Sequence, residues 1–478
     1  MDVRLRPIPY FLVVLYLVFF MIKRNVWLVI LMASIAAGCV IYQVFYTPTL
    51  NDEDVAYVLV GGVTPHSATV AFNTFRPARV RVQYSTEAAT FINARYSDYS
   101  EPNTTHQFSG KVRLDSLEPG TPYYYRLEIN DTIDAFAGYS GTFTTPQDGP
   151  FSYKIAFGSC AVTGSSSPVF EQISQEDLLL FISTGDLHYE NIDDNCASRF
   201  VQAYYRVFHS TAQASLYRNT AFAYMWDDHD FGNNNSDGSS PCKEDAIAAY
   251  RQFVPHYPLA FDQPASPISQ SFTLGRVRFL LTDLRSQKVE PRYDGCERTR
   301  VGTNFGLDTH LQWFQDQLLT ARDSGQVVVW LSGIPYINHE GGPNYVCDED
   351  DDWGGFPEER QWIADFVKEQ RIPICIIAGD AHMVAIDDGT NSDYASGGGA
   401  PIPVFHAAPL DRYGSYKGGP YSHGYQTKEG QYGMMEIEDE GGDRVCITWT
   451  AKNAQGDVVR NGEGEQLTHS FCLPISPQ

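Results

Sequence analysis

The segment MWDDHDFGNNN, residues 225 to 235, crowds Asp227, Asp228 and Asp230 around His229. Carboxylates this close repel one another unless water or a cation neutralises them, so the run calls for open solvent or for a polyvalent metal ion. It directly follows the apolar stretch AFAYMW, which favours the metal. Asp228 then offers a metal-binding carboxylate. His229 offers an imidazole free of metal, suited to protonating a leaving-group oxygen if its flanking carboxylates hold its pKa up. GDLHY (185–189) sets Asp186 where one carboxylate can bridge two ions and follows it with Tyr189, whose phenolate suits a hard trivalent metal. FGSC (157–160) adds the Cys160 thiol, and GDAH (379–382) adds Asp380 and His382 as further ligands. In LTDLR (281–285), Arg285 carries a guanidinium fork that matches phosphate oxygens. Each motif alone also fits a plainer reading: a helix cap, a buried thiol, a surface ion pair. The five-acid run CDEDDDW (347–353) reads as a solvated loop, because its spacing fits no calcium loop.

The elements that carry these residues give the plainer readings less room. KIAFGSC, LLLFISTGD, TAFAYMWDD, VRFLLTDLR and PICIIAGD are short apolar runs, and Cys160, Asp186, Asp227, Asp283 and Asp380 each close one of them at its carboxyl end. In open α/β sheets that edge is where ligands bind. Amphipathic helices lie between the runs: DTHLQWFQDQLL, with an Asp308 cap and an apolar stripe of Leu311, Phe314, Leu318 and Leu319, and FPEERQWIADFV, with Pro357 in its first turn. Strands return at MMEIE, RVCITWTAK and SFCLP, so residues 149–478 are expected to form an α/β catalytic domain. Residues 51–148 read as a separate β domain. RVRVQY alternates apolar and polar positions, and LEPGTPYYYRLEI, AYVLVGGV and ATVAFNT together resemble a fibronectin type III-like sandwich.

Taken in chain order, FGSC, GDLHY, WDDHD with FGNN, D-x-R and GDAH resemble the alkaline phosphatase D (PhoD-like) branch of the metallophosphatases over roughly residues 150 to 435. The resemblance implies a four-layer αββα fold behind an amino-terminal β-sandwich, and a site holding Fe3+ and Ca2+. Cys160, Asp186 and Tyr189 would hold iron, with Asp186 bridging to calcium and Asp228 binding calcium too. Asp380 and His382 would complete the shell, on an ion left open. His229 would be the acid, with Arg285 and Asn233 orienting the phosphate. One departure is Asp230, where the family usually carries the longer Glu.

The expected activity is hydrolysis of small-molecule phosphomonoesters or phosphodiesters by metal-bound hydroxide. A phospholipase D-like phosphodiesterase and a non-catalytic membrane-anchored recognition protein with structural metals stand as alternatives. No G-x-S-x-G elbow and no G-x-x-x-x-G-K-[ST] loop occurs in the sequence. The net charge of -24 argues against a nucleic-acid partner, whose phosphates need Lys and Arg.

Apolar blocks at residues 8–22 and 26–46 flank Lys23 and Arg24; the second is long enough to span a bilayer. Residues 1–50 are therefore expected to be a membrane anchor, a single-pass type II span that leaves the catalytic domain extracellular or lumenal. Cysteines 196 and 242, 296 and 347, and 446 and 472 are disulfide candidates, whereas Cys375 reads as a core thiol. Sequons at Asn103, Asn130 and Asn234 suit the same compartment.

Overall fold

Runs such as Ile374–Ala378 (ICIIA) have no polar position to turn toward water, so they must be covered on both faces. The computed structural model describes residues 54–88, 90–133, 140–339 and 351–475 and gathers these runs into two large sheets. The apolar blocks at 8–22 and 26–46 lie outside the described residues. Among the described residues, no helix is long and apolar enough to cross a membrane.

The first sheet contains β1 (Val55–Thr64), β2 (Ser67–Thr74), β3 (Ser109–Asp115), β4 (Tyr153–Gly158), β5 (Leu180–Ser183) and β6 (Phe222–Tyr224). The second contains β7 (Gln270–Leu274), β8 (Val277–Leu281), β9 (Val327–Gly333), β10 (Ile374–Ala378), β11 (Val384–Asp387), β12 (Val404–Ala407) and β13 (Tyr425–Gln426). The carboxyl-terminal strands β14 (Gln431–Glu438), β15 (Arg444–Asn453) and β16 (Thr468–Pro474) return to the first sheet, whose order is β16-β15-β14-β4-β5-β6-β1-β2-β3. The second runs β7-β8-β9-β10-β12-β11-β13. Strands β4, β5 and β6 are parallel, as are β8, β9, β10 and β12, so the ends of seven strands face the same rim.

The sheets pack face to face through aromatic rings. Phe157 on β4 meets Phe405 on β12 edge-on, with centroids 5.0 Å apart. At the rim they come closer: a Cβ on Gly379 would lie 2.5 Å from the Thr184 carbonyl oxygen, so only glycine lets the chain after β10 pass the chain after β5. This contact brings Asp380 of one sheet toward Asp186 of the other.

Helices α1 (Pro168–Ser174), α2 (Cys196–Phe208), α3 (Ala212–Asn219), α4 (Asp228–Phe231) and α5 (Lys243–Phe253) follow strands of the first sheet, and α2 and α3 pack on β1. Helix α6 (Asp308–Asp323) packs on β8 and β9, and α7 (Pro357–Gln370) feeds Ile363 and Val367 into the core of the second sheet. Pro357 sits in the first turn of α7 as expected. Helix α6 differs from expectation. Its N-cap is Leu307 rather than Asp308, and its buried stripe is His310, Phe314, Leu318 and Ala321, one step round from the leucine stripe. His310 can be buried because its Nε2 meets Ser269 Oγ at 2.7 Å and its Nδ1 meets the Phe305 carbonyl at 3.1 Å.

The β strands before residue 149 are built into the same unit, which spans residues 52–478. Strand β1 pairs in parallel with β6 at Gly61–Phe222, where a glycine Cβ would lie 2.4 Å from the Phe222 oxygen. Tyr125 Oη donates to the Arg218 carbonyl at 2.8 Å, and Lys111 Nζ donates to the Arg251 and Val254 carbonyls at 2.5 and 3.1 Å. Two of the expected disulfides are present, Cys196–Cys242 and Cys446–Cys472. Cys296 is also disulfide-bonded; Cys347 lies outside the described residues. Cys375 and Cys160 are buried thiols.

Candidate metal centre

Three strands of the two sheets end in the same way. After β4, β5 and β10 the chain turns through Cys160, Asp186 and Asp380 in the left-handed region, with φ of 62°, 52° and 60°. Non-glycine residues avoid this region unless surrounding structure enforces it, and such strain concentrates at functional sites. Each turn aims its side chain into the space between the sheets.

Cys160 Sγ lies 3.6 Å from Asp186 Oδ2 and 3.6 Å from the Asp380 carbonyl. Tyr189 Oη donates to Asp186 Oδ2 at 2.6 Å and also meets His382 Nε2 at 2.8 Å. No helix follows Asp186; Tyr189 instead reaches back from an irregular segment held by its backbone N–H to Thr163 Oγ1. His382 is fixed from the other side, Nδ1 to the Tyr413 carbonyl at 2.6 Å. Candidate ligand atoms of Cys160, Asp186 and His382 lie within 4.8 Å of one another, as do those of Asp186, Asp228 and His229, and those of Asp227, Asp228 and Asp380. The three groups share Asp186 and Asp228, so they form one continuous cluster. Asp227 is a member that the sequence marked as a strand end and gave no role.

The WDDHD residues have divided tasks. Asp230 is not turned to the cluster: Oδ1 accepts from the His188 N–H at 2.9 Å and Oδ2 from the Asp227 N–H at 3.2 Å, the capping box that starts α4. The shorter acid thus ties the GDLHY and WDDHD segments together. Asp228 Oδ2 accepts from the Asn235 N–H at 2.6 Å and lies 4.0 Å from His229 Nε2. The His229 ring packs tilted against Tyr189, with centroids 4.1 Å apart, and its Nδ1 meets Asn191 Oδ1 at 2.5 Å. Its pKa is not held up by flanking acids. Burial lowers it, and Asp228 opposes that only in part, because Asp227 and Asp230 face elsewhere. Asn233 is exposed and donates to Asp193 at 2.9 Å; the exposed Asn234 pairs with Asn235.

Arg285 is fully out of solvent. Its Nε donates to Asp227 Oδ1 at 2.5 Å, one Nη donates to Asp351, and the other stands 4.0 Å from Asp228 Oδ1. Asp283 supports this arrangement instead of joining the cluster: it accepts from Trp226 Nε1, the Ile268 N–H and the N–H groups of Arg285 and Ser286.

Asp351 and Lys417 join the site although no local pattern marks them for it. Asp351 is 6 % exposed, so this end of the acidic run is not a solvated loop. Burial pushes its carboxyl up, but Arg285, Lys417 and Lys288 outweigh that and hold it well below the usual range. Lys417 Nζ reaches both oxygens of Asp380 at 2.8 Å and Asp351 at 3.3 Å. Nothing in the local pattern SYKGGP marks that lysine, and Asp351 was marked only as one acid among five.

Even with these cations the carboxylates are under-neutralised. Asp186 Oδ1, Asp227 Oδ2 and Asp228 Oδ1 are buried with no hydrogen-bond partner. Burial, followed by Asp228, Asp227 and Asp230, pushes Asp186 well above the usual range, and burial pushes Asp380 up to about 7. Buried carboxylate oxygens without donors are costly, and polyvalent cations satisfy them. A thiol, a phenol, an imidazole and a carboxylate at one end, and carboxylates alone at the other, are donor sets for a transition metal and for a hard divalent ion respectively. The residues present therefore fit a metal pair.

The comparisons with known proteins agree with this geometry. The family model for PhoD-like phosphatases matches residues 155–441, more than half of the 478-residue chain. A solved structure of PhoD is similar, with TM-score 0.65 and 15 % identity over 88 % of this chain and 95 % of that one. Purple acid phosphatase PPD1 from yellow lupin (Lupinus luteus) seeds is similar with TM-score 0.55 and 14 % identity, over 89 % and 75 %. At these identities the likeness is one of fold. No curated protein matches the sequence. The chain belongs to the PhoD-like phosphatase family and is a metal-dependent hydrolase of phosphoric esters.

Proposed function

We propose that the chain hydrolyses small phosphoric esters at the cluster between the sheets, with Fe3+ at its thiol end and Ca2+ at its carboxylate end. The observation that carries this reading is the set of three buried, donorless carboxylate oxygens on Asp186, Asp227 and Asp228. Cys160, Asp186, Tyr189 and His382 would hold the iron; Asp186, Asp228 and Asp380 would hold the calcium, with Asp227 beside them. Bound there, the cations supply Lewis acidity to the phosphoryl oxygens and lower the pKa of a water nucleophile.

The chain's own residues do the remainder. Asn191 Oδ1 accepts a hydrogen bond from the His229 Nδ1–H, which turns the Nε2–H of the protonated ring toward the departing alkoxide, and giving up that proton leaves the ring neutral. The unpartnered Nη of Arg285 is the one edge of that guanidinium left for a phosphate oxygen. Asn233, exposed and bonded to Asp193, would orient the ester from outside.

The architecture belongs to this reading. Two face-to-face sheets with α6 on one outer side and α2 and α3 on the other support a four-layer αββα fold. The strands before residue 149 support a fibronectin type III-like module, of which β1, β2 and β3 extend the first sheet. Apolar residues 8–22 and 26–46 support attachment to a membrane with the enzyme outside, where the disulfides and sequons would be at home.

Metal analysis of the purified chain by mass spectrometry, paired with a panel of phosphomonoesters and phosphodiesters, tests the proposal. Iron and calcium bound without hydrolysis of any ester would sink it. A diester preference would instead favour the phospholipase D-like alternative.

A further inference from the structure

Arg285 has little left to offer a substrate. It is fully buried, and its Nε and one Nη are committed to Asp227 and Asp351. A phosphoryl group arriving from solvent needs a cation it can reach, and the structure holds one at the mouth of the site. Arg412 is partly exposed and lays its guanidinium over the Tyr189 ring, 3.9 Å from the centroid. Tyr189 in turn packs against His229, with centroids 4.1 Å apart, and touches Asp186 and His382 through its hydroxyl. Among the described residues Arg412 has no hydrogen bond and no carboxylate within ion-pair distance, and its Nε is covered without a partner.

An unpaired guanidinium in such acidic surroundings is unusual, and the reason lies in the loop that carries it. Leu410 and Asp411 bind by their N–H groups to the Ser159 and Cys160 carbonyls at 2.9 and 3.4 Å, and the Tyr413 carbonyl accepts from His382. The nearest acid in sequence, Asp411, is turned away: it accepts from the Val162 N–H at 2.5 Å and from the Ser165 hydroxyl. Arg412 is thus pinned on both sides and makes no ion-pair contact with its neighbouring carboxylate.

Resting on the phosphoesterase reading above, we propose that Arg412 is a substrate-binding residue that takes the non-bridging oxygens of the incoming phosphoryl group. A guanidinium held over an aromatic ring leaves its terminal N–H groups to bind two phosphate oxygens at once. Because Coulomb attraction scales with charge, Arg412 favours the doubly charged phosphate of a monoester, or inorganic phosphate, over the singly charged phosphate of a diester.

The test uses the full metal-loaded chain, inorganic phosphate as probe in calorimetry, and turnover of 4-nitrophenyl phosphate against bis(4-nitrophenyl) phosphate. Arg412→Ala is expected to weaken phosphate binding about tenfold or more, with kcat/KM falling more for the monoester than for the diester and metal content unchanged. Arg412→Lys, which keeps charge but not the fork, should recover part of the phosphate affinity. Unchanged phosphate affinity and an unchanged monoester-to-diester ratio in Arg412→Ala would overturn the assignment. So would a loss of metal in parallel with phosphate, which would make Arg412 a support for the centre. If the wild-type chain turns over neither ester, the phosphoesterase reading fails. The calorimetric comparison still decides whether Arg412 binds phosphate.

Discussion

Arg285 and Asp351 stand 66 positions apart in the chain and meet out of solvent, the first 0 % and the second 6 % exposed. The same guanidinium holds Asp227, so one cation ties the end of the acidic run to the WDDHD loop.

Removing that cation leaves the buried Asp227 without its ion-pair partner and Asp351 with only Lys288 and Lys417. Arg285→Met should therefore lower the unfolding free energy by about 3–5 kcal/mol, measured by urea denaturation of the metal-free protein. Arg285→Lys should recover less than half, because one ammonium cannot span both acids in the geometry of the fork. A urea midpoint unmoved by Arg285→Met would contradict this account.

His229 has one ring nitrogen engaged by Asn191 and the other facing the cluster. His229→Ala should reduce kcat by roughly 10²–10⁴-fold for alkyl phosphates, which need a proton on the leaving oxygen. The loss should be much smaller for 4-nitrophenyl phosphate, which does not need one. Asn191→Ala, which frees the ring to turn, should lower kcat about tenfold and leave KM nearly unchanged. Equal losses for both classes of leaving group in His229→Ala would rule out the acid role.

Lys417 competes for the carboxylate that a divalent ion would use, since it spans both Asp380 oxygens at 2.8 Å. Lys417→Met should tighten Ca2+ binding roughly tenfold in calorimetric titration of otherwise metal-free protein, by removing a like charge a few ångströms away. Weaker Ca2+ binding in the variant would mean that the ammonium supports the site.

Lys111 gives a pH dependence away from the metal centre. Burial, with a smaller contribution from Arg251, lowers its pKa to about 8 in the folded chain, against 10.5 for a free lysine. Between those values the unfolded chain binds more protons. Its term in stability therefore rises with pH through that window by up to ~1.4 kcal/mol per pH unit, and is flat below it. Comparing wild type with Lys111→Met by urea melts from pH 7 to pH 10 should show the wild type gaining relative to the variant above pH 8. Parallel curves would show that Lys111 keeps an ordinary pKa in the fold.

Much of the site could be read from strand ends. A strand is a local pattern and its last residue is fixed in sequence, so Cys160, Asp186 and Asp380 could be assigned to one rim before any geometry was known. The stripe on α6 was misplaced by one step, because a histidine with both nitrogens bonded can be buried where the sequence favoured a leucine. Asp283 and Asp186 looked alike in sequence, each an acid after an apolar run. Only the donors around them separate a carboxylate with a full set of hydrogen bonds from one with a bare oxygen.

By itself, the sequence determined the α/β class, the order of the catalytic motifs and the family they belong to, because these depend on periodicity and on residue type at short range. The tertiary structure decided what each charge faces. Asp351, Lys417, Asn191 and Arg412 reach the site from loops that carry no distinguishing pattern, and β1 joins β6 through a single glycine contact. Those pairings depend on how two sheets are stacked and how closely their backbones approach, which no local stretch of chain encodes.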